Sequence, residues 1–435
     1  MKFSTNFIGL SLIILILLFT TGLTQEGWHQ QTLPPQTLGL IGIHAVNSEI
    51  LWVVGENGTI INSTDGGTSW VSISSGITEN LNTVEFVNPD TGWVAGKNNG
   101  TISDSAVFRT MDGGSTWEVQ PLGLGGQNLI YDVDFVEGLS GEPMRGFLTG
   151  GLTCTWRTDN YGNTWENVRG ACGQGNFWSS CFVDKKTGWF VGTPSTEYPY
   201  TIMCTTDAGT TWTDQTNPTE QPLRGVCFAT DQRGLAVGLV GTILYTSDGG
   251  ANWEARPNNG YRWESVFLTE SGKAWAVGSS GNIAYSTDWG YTWVAQESGV
   301  AVELWEVYFI NDNEGWIVGG GIGQPGVILH TTTGGVVTDI HNENNPIIEK
   351  FRLSQNYPNP FNPKTKIEFQ IPSSDLATLV IYDILGNKIV TLLDEHLRAG
   401  KHEVVWNAGD FPSGLYFYQL TSGKFNEVKK MLLIK

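Results

Sequence analysis

The sequence predicts an all-β chain, a seven-bladed β-propeller followed by a small immunoglobulin-like β-sandwich. A turn of the form Asp-x-Gly-x-x-Trp recurs seven times at intervals of 40 to 48 residues, a period typical of propellers and solenoids. Each turn belongs to a unit of four strand-like runs, four to six residues long, rich in β-branched and aromatic types and bounded by Gly, Asn, Asp and Pro. No helical periodicity appears after the N-terminal 24 residues. Four antiparallel strands in each of seven units describe a seven-bladed propeller.

The turn is clearest in STDGGTSW (63–70). Asp65 can accept hydrogen bonds from the backbone N–H groups ahead of it and close the turn. Gly66 and Gly67 supply backbone angles that side chains disfavour, and Trp70 returns a large apolar surface to the core. The copies are DGGSTW at Asp112, DAGTTW at Asp207, DGGANW at Asp248 and DWGYTW at Asp288. NYGNTW places Asn160 where the acid belongs. A decayed seventh copy has Thr333 for the acid and Thr338 for the tryptophan.

Upstream of each turn lies an apolar run ending in Gly, such as LWVVG (51–55), GWVAG (92–96) or AWAVG (274–278). Before it comes another strand, such as TVEFV (83–87) or EVYFI (306–310). A third, GTIINS (58–63) or GTILYT (241–246), leads into the turn, and the segment after the tryptophan is the fourth. The seventh unit has no fourth strand of its own. GWHQQTLP (27–34) resembles an orphan fourth strand, so the N-terminus should complete the last blade and Trp28 should replace the missing tryptophan. Such pairing removes the open edge of the ring.

These turns match the Asp-box, or bacterial neuraminidase repeat. The whole unit, over about residues 27–338, resembles the photosystem II assembly and stability factor family of propellers. The resemblance implies that Asp65, Asp112, Asn160, Asp207, Asp248 and Asp288 hold hairpins together on the side away from any ligand. It implies the same structural role for Arg109 and Arg157, three residues ahead of their turns.

The chain begins with a basic Lys2, an apolar core from Phe7 to Phe19 and then small residues, the pattern of a secretory signal peptide over 1–24. No other segment is long and apolar enough to span a bilayer. The expected organisation is therefore a signal peptide (1–24), a propeller (25–338), a linker (339–349) and a C-terminal domain (350–435). That last domain opens with FRLSQNYPNPFNP, continues through IYDILG and GLYFY, and ends KKMLLIK. It resembles the type A C-terminal sorting domain of the type IX secretion system. The resemblance implies export across a Gram-negative outer membrane, with the secretion machinery as a partner and the domain usually removed afterwards. The protein is then expected in the medium or on the outer-membrane surface.

Residues 25–348 carry 12 Lys and Arg against 34 Asp and Glu, whereas 349–435 carry 11 against 9. So acidic a propeller argues against nucleic acid and anionic lipid, which need a basic footprint. All five cysteines fall between Cys154 and Cys227. Cys154 and Cys172 lie on the strands flanking one turn and are candidates for a cross-strand disulfide, which export permits. Cys181 and Cys227 occupy equivalent positions in neighbouring units. With Cys204, they read as small buried core residues.

Motifs for catalysis are sparse. The six histidines have no zinc spacing, and there is no Gly-x-Ser-x-Gly elbow or phosphate loop. No metal or cofactor is expected. Eight propeller arginines, without the N-terminal arginine motif of sialidases, argue against that activity. Aligning the first strands of the units places Ile41, Asn82, Tyr131, Trp178, Arg224, Trp263 and Trp305 at one position. Gly42, Thr83, Asp132, Ser179, Gly225, Glu264 and Glu306 follow at the next. Both positions should ring the central opening. The candidate ligand-binding set is Tyr131, Asp132, Trp178, Arg224, Trp263, Glu264, Trp305 and Glu306, since flat apolar faces stack while a few polar groups orient. The leading expectation is a non-enzymatic binder of an extracellular protein or glycan. The alternatives are an assembly factor for a protein complex, as the resemblance implies, and a glycoside hydrolase using two of Asp132, Glu264 and Glu306.

Overall fold

The computed structural model describes residues 27–97, 107–122, 129–136, 144–151, 154–168, 175–193, 202–256, 260–336, 351–371, 375–397, 400–423 and 425–435. The expected signal peptide, the linker and Cys172 lie outside the described residues. Seven four-stranded antiparallel sheets form the blades: 40–72, 80–119, 130–167, 176–215, 223–255, 263–296, and 304–331 completed by His29–Gln30. The first strand of each blade lies innermost and touches the first strands of its neighbours. In blades 1, 5, 6 and 7 the second strand, exemplified by Leu51–Gly55, is buried at every residue because a neighbouring blade covers each of its faces.

Aromatic stacks bind blade to blade. Trp52 in blade 1 stacks on Phe86 in blade 2 with centroids 4.2 Å apart, and Trp93 meets Phe135 at 3.8 Å. Trp189 meets Phe228 at 3.5 Å, and Trp275 meets Phe309 at 3.6 Å. The turn tryptophan of the second blade then closes edge-on, as Trp117 does on Phe86. This packing explains the second glycine of the turn. At Gly114, whose φ is +80°, an added Cβ would stand 2.6 Å from the Trp52 ring, where no side chain fits.

Five of the turns are closed by an aspartate. Asp65 accepts from the Ser69 N–H at 2.8 Å and from the Ser69 hydroxyl at 2.6 Å, while Gly67 N–H donates to Ser63 Oγ at 2.8 Å. Asp112, Asp207, Asp248 and Asp288 repeat the arrangement. Asn160 keeps it by accepting from the Thr164 N–H and donating its amide to the Thr164 hydroxyl. Arg109 and Arg157 each donate to a carbonyl in the next blade, at Tyr161 and Ala208.

The ring closes through the N-terminus. His29 pairs with His330 and Gln30 with Leu329. Trp28 is buried, packs edge-on against Phe309 and donates its indole N–H to Gln296 at 2.8 Å.

Beyond residue 350, a three-stranded sheet (Arg352–Leu353, Lys364–Ile371, Gly400–Asn407) and a four-stranded sheet share one core. Ile367, Phe369 and Trp406 enter that core from the first sheet, and Leu379, Ile381, Tyr418 and Leu420 from the second. The YPNPFNP segment is bound into the sandwich. Phe361 is buried and its N–H donates to the Leu432 carbonyl at 3.0 Å, while Asn356, just ahead of the segment, donates its N–H to the Tyr418 hydroxyl at 2.9 Å.

Candidate ligand site at the mouth of the central channel

Every innermost strand carries a β-bulge near its start, shown by register shifts between Leu40 and Gly42, Leu81 and Thr83, and equivalent pairs in the other five blades. A bulge re-aims one side chain out of the ladder. Here the re-aimed residues are Ile41, Asn82, Tyr131, Trp178, Arg224, Glu264 and Trp305, which line a cavity of about 590 Å³ on the channel axis.

Trp263 is a correction to the sequence reading. It pairs with Gly278 before the bulge, at the position of Leu40, Leu81, Ile130, Phe177, Leu223 and Leu304, and it is 1% exposed. Glu264 takes the mouth position and Ser265 the one after it. The dipeptide Trp-Glu occurs in blades 6 and 7 at registers differing by one residue. In a strand, a one-residue slip turns every side chain to the other face. Counting back from the end of the strand, Leu268 or Phe309, finds the true register.

The mouth residues form an arc. The Tyr131 and Trp178 rings lie 4.0 Å apart, and the Arg224 guanidinium sits 3.9 Å from the Trp178 centroid. Arg224 faces Glu264 at 3.9 Å, while Arg262 pairs with both Glu264 and Glu303. The Trp178 indole N–H donates to Thr193 Oγ1 at 2.8 Å, and that of Trp305 to the Gly320 carbonyl at 2.9 Å. These bonds fix the ring planes against the channel. The side chains of Arg224 and Arg262 remain 24% and 42% exposed at the rim.

Below the mouth, two layers of side chains satisfy the inner edges of the blades. Glu306 accepts from the Ile43 N–H at 2.7 Å, and Asp132 from the Ser180 N–H at 2.7 Å. One layer deeper, Glu85 accepts from Phe135 N–H at 2.8 Å and Asp134 from Phe182 N–H at 2.6 Å. Cys181 and Cys227 do the same through sulfur, from Phe228 and Leu268. Inner-edge N–H groups have no ladder partner, and each bond crosses to the next blade to supply one. Sequence reasoning missed Glu85 and Asp134, although both recur in the first-strand pattern. Asp132 and Glu306 lie in these layers, so the structure gives them a blade-latching contact.

Burial dominates the protonation of these groups. It raises Asp132 to about 6, Asp134 to about 7 and Glu306 to about 8, and pushes Glu85 well above the usual range, with neighbouring carboxylates adding to the last three shifts. Burial also lowers His44 and His330 to about 4. A carboxylate raised on folding binds more protons folded than unfolded, so stability falls as pH climbs through the folded value. The two histidines act the other way, but only below about pH 6.5. The melting temperature should therefore fall between pH 6.5 and 8.5. Glu306→Gln, whose amide oxygen can still accept from Ile43, should flatten the slope. A calorimetric profile that is level or rising over that interval refutes this account.

Among the described residues, no group of three or more His, Cys, Asp or Glu side chains could hold a metal ion. Cys154 is in a disulfide, and Cys181, Cys204 and Cys227 are free. Cys204 is buried in the blade core as expected. Cys181 and Cys227 instead line the channel, because their strand positions face the axis.

The seven sheets, the channel and the C-terminal sandwich define a seven-bladed β-propeller with an appended β-domain. Residues 355–435 match the secretion system C-terminal sorting domain, and residues 15–104 match the family described as photosynthesis system II assembly factor YCF48. The chain joins a YCF48-like propeller to a type IX sorting domain, which places it among proteins secreted or held at the outer-membrane surface. Photosystem II assembly protein Ycf48 of Synechococcus sp. (strain JA-3-3Ab) is 36% identical over 83 residues, covering 18% of this chain and 25% of that protein.

Among solved structures, YCF48 bound to D1 peptide gives a TM-score of 0.56 at 20% identity, over 71% of this chain and 96% of that one. YCF48 from Cyanidioschyzon merolae gives 0.56 at 18%, over 70% and 98%. A GH74 xyloglucanase from Xanthomonas campestris gives 0.57 at 12%, over 81% and 60%. At these identities the likeness is one of fold.

Proposed function

We propose that this protein is a non-enzymatic binding propeller that holds a segment of an extracellular polypeptide at the mouth of its central channel. The observation that carries this reading is the arc Tyr131–Trp178–Arg224–Glu264, flanked by Trp305. It offers flat aromatic surface beside fixed charge of both signs, on a face whose residue types differ from blade to blade. Such a surface suits an asymmetric chain with alternating side chains and amides. A structure of the similar propeller YCF48 holds a peptide, which favours a polypeptide over a glycan here. Catalysis is disfavoured by the engagement of all three candidate carboxylates. Asp132 and Glu306 bind backbone N–H groups, and Glu264 is paired with two arginines.

The test is a combined peptide and glycan array probed with the chain after removal of the signal peptide. Arg224→Ala and Trp178→Ala should weaken peptide capture by roughly 30-fold each, the size of an aromatic or arginine hot spot. Capture of glycans alone, or peptide capture unaffected by both variants, overturns the proposal. Release of reducing sugar from a polysaccharide, lost in Glu264→Gln, would establish the hydrolase instead.

A further inference from the structure

We propose that Cys181 and Cys227 are a redox-active dithiol that closes into a disulfide between blades 4 and 5 on the channel wall. The two residues occupy the same register, Cys181 opposite Trp189 and Cys227 opposite Leu235, on innermost strands that touch. The Phe228 N–H, one residue beyond Cys227, donates to Cys181 Sγ at 3.1 Å and holds that sulfur in the seam. Cys227 Sγ in turn accepts from the Leu268 N–H at 3.4 Å, so both sulfurs lie along the same inner layer of the channel wall.

Inner strands approach one another closely at other seams of the ring. Two residues earlier in the register, a Cβ added at Gly225 would lie 3.0 Å from Ser265 Cα, and one at Gly42 would lie 3.0 Å from Thr83 Cα. A disulfide needs roughly 4.4–6.8 Å between Cα atoms, and in the seam of blades 4 and 5 Cys181 Sγ already reaches the backbone N of Phe228, the residue bonded to Cys227. Both thiols line the cavity, so a small reagent can reach them from the mouth. Cys204 is buried in the blade core and serves as an internal control.

The co-reactant is a low-molecular-weight disulfide, for which the exported chain has ready access outside the cytosol. The neighbouring Cys181 thiol lowers the pKa of Cys227, while the Cys227 thiol and then burial raise that of Cys181. Cys227 is therefore the attacking thiolate. It displaces one thiolate from the reagent and forms a mixed disulfide. Cys181 then loses its proton to channel water, and its sulfur attacks Cys227 Sγ and expels the second thiolate. The protein gives up two electrons and two protons, and the reagent becomes two thiols.

The experiment uses the full chain without its signal peptide, reduced with dithiothreitol and then treated with oxidised glutathione. Remaining thiols are alkylated in denaturant, and the peptides are mapped by mass spectrometry. The expected product is a Cys181–Cys227 linked pair lacking two hydrogen atoms, reopened by dithiothreitol, with Cys204 alkylated. Cys227→Ser should stop at a glutathione adduct or a free thiol at Cys181. Alkylation of both cysteines in the wild-type chain, or glutathione retained on both, overturns the proposal. So does a Cys181 crosslink to a different residue in Cys227→Ser.

Discussion

Replacing Trp263 by alanine should cost roughly 3–5 kcal/mol of stability, the range for truncating a fully buried aromatic. Its ring is 1% exposed and packs with Leu235, Val237 and Ile243 between blades 5 and 6. The same change at Trp305 should leave the urea midpoint nearly unaltered. That ring is half-buried at the cavity wall and supports little of the core. The contrast separates two tryptophans that look alike in sequence, each followed by glutamate. Equal destabilisation at both positions would show that the mouth residue packs as core. A Trp263→Ala protein with wild-type stability would refute the register assigned to blade 6.

Deleting residues 25–35 should abolish cooperative unfolding and drive association. The deletion strips His29–Gln30 from the outer edge of blade 7 and removes Trp28, which is buried against Phe309 and the cluster containing Trp275 and Leu304. The exposed Val327–Thr331 strand then presents unpaired backbone groups, a template for other chains. Differential scanning calorimetry with light scattering checks both parts. A truncated chain that melts in one transition, at the intact temperature and without scattering, would mean the ring closes otherwise.

Much of this architecture was legible because the turns are written in residue types with few structural substitutes. Gly114 cannot be replaced beneath Trp52, and the missing seventh tryptophan pointed to Trp28. The mouth was legible in part. Tyr131, Trp178, Arg224, Glu264 and Trp305 all line the cavity, whereas Trp263 does not, since nothing in the Trp-Glu dipeptide itself sets the phase of a strand. The inner layers were hidden for another reason. Glu85, Asp134, Cys181 and Cys227 acquire their partners from the next blade, at separations of 41 to 50 residues fixed by the ring and not by local pattern.

The pairing of His29 with His330 also sets an order of events for synthesis and export. The N-terminal strand is made first but finds its partner only when the seventh blade arrives, so an incomplete chain has no route to a closed ring. The sorting domain, at residues 355–435, is encoded after that blade. A chain that stops early therefore lacks both the partner that seals the ring and the C-terminal domain that matches the sorting family.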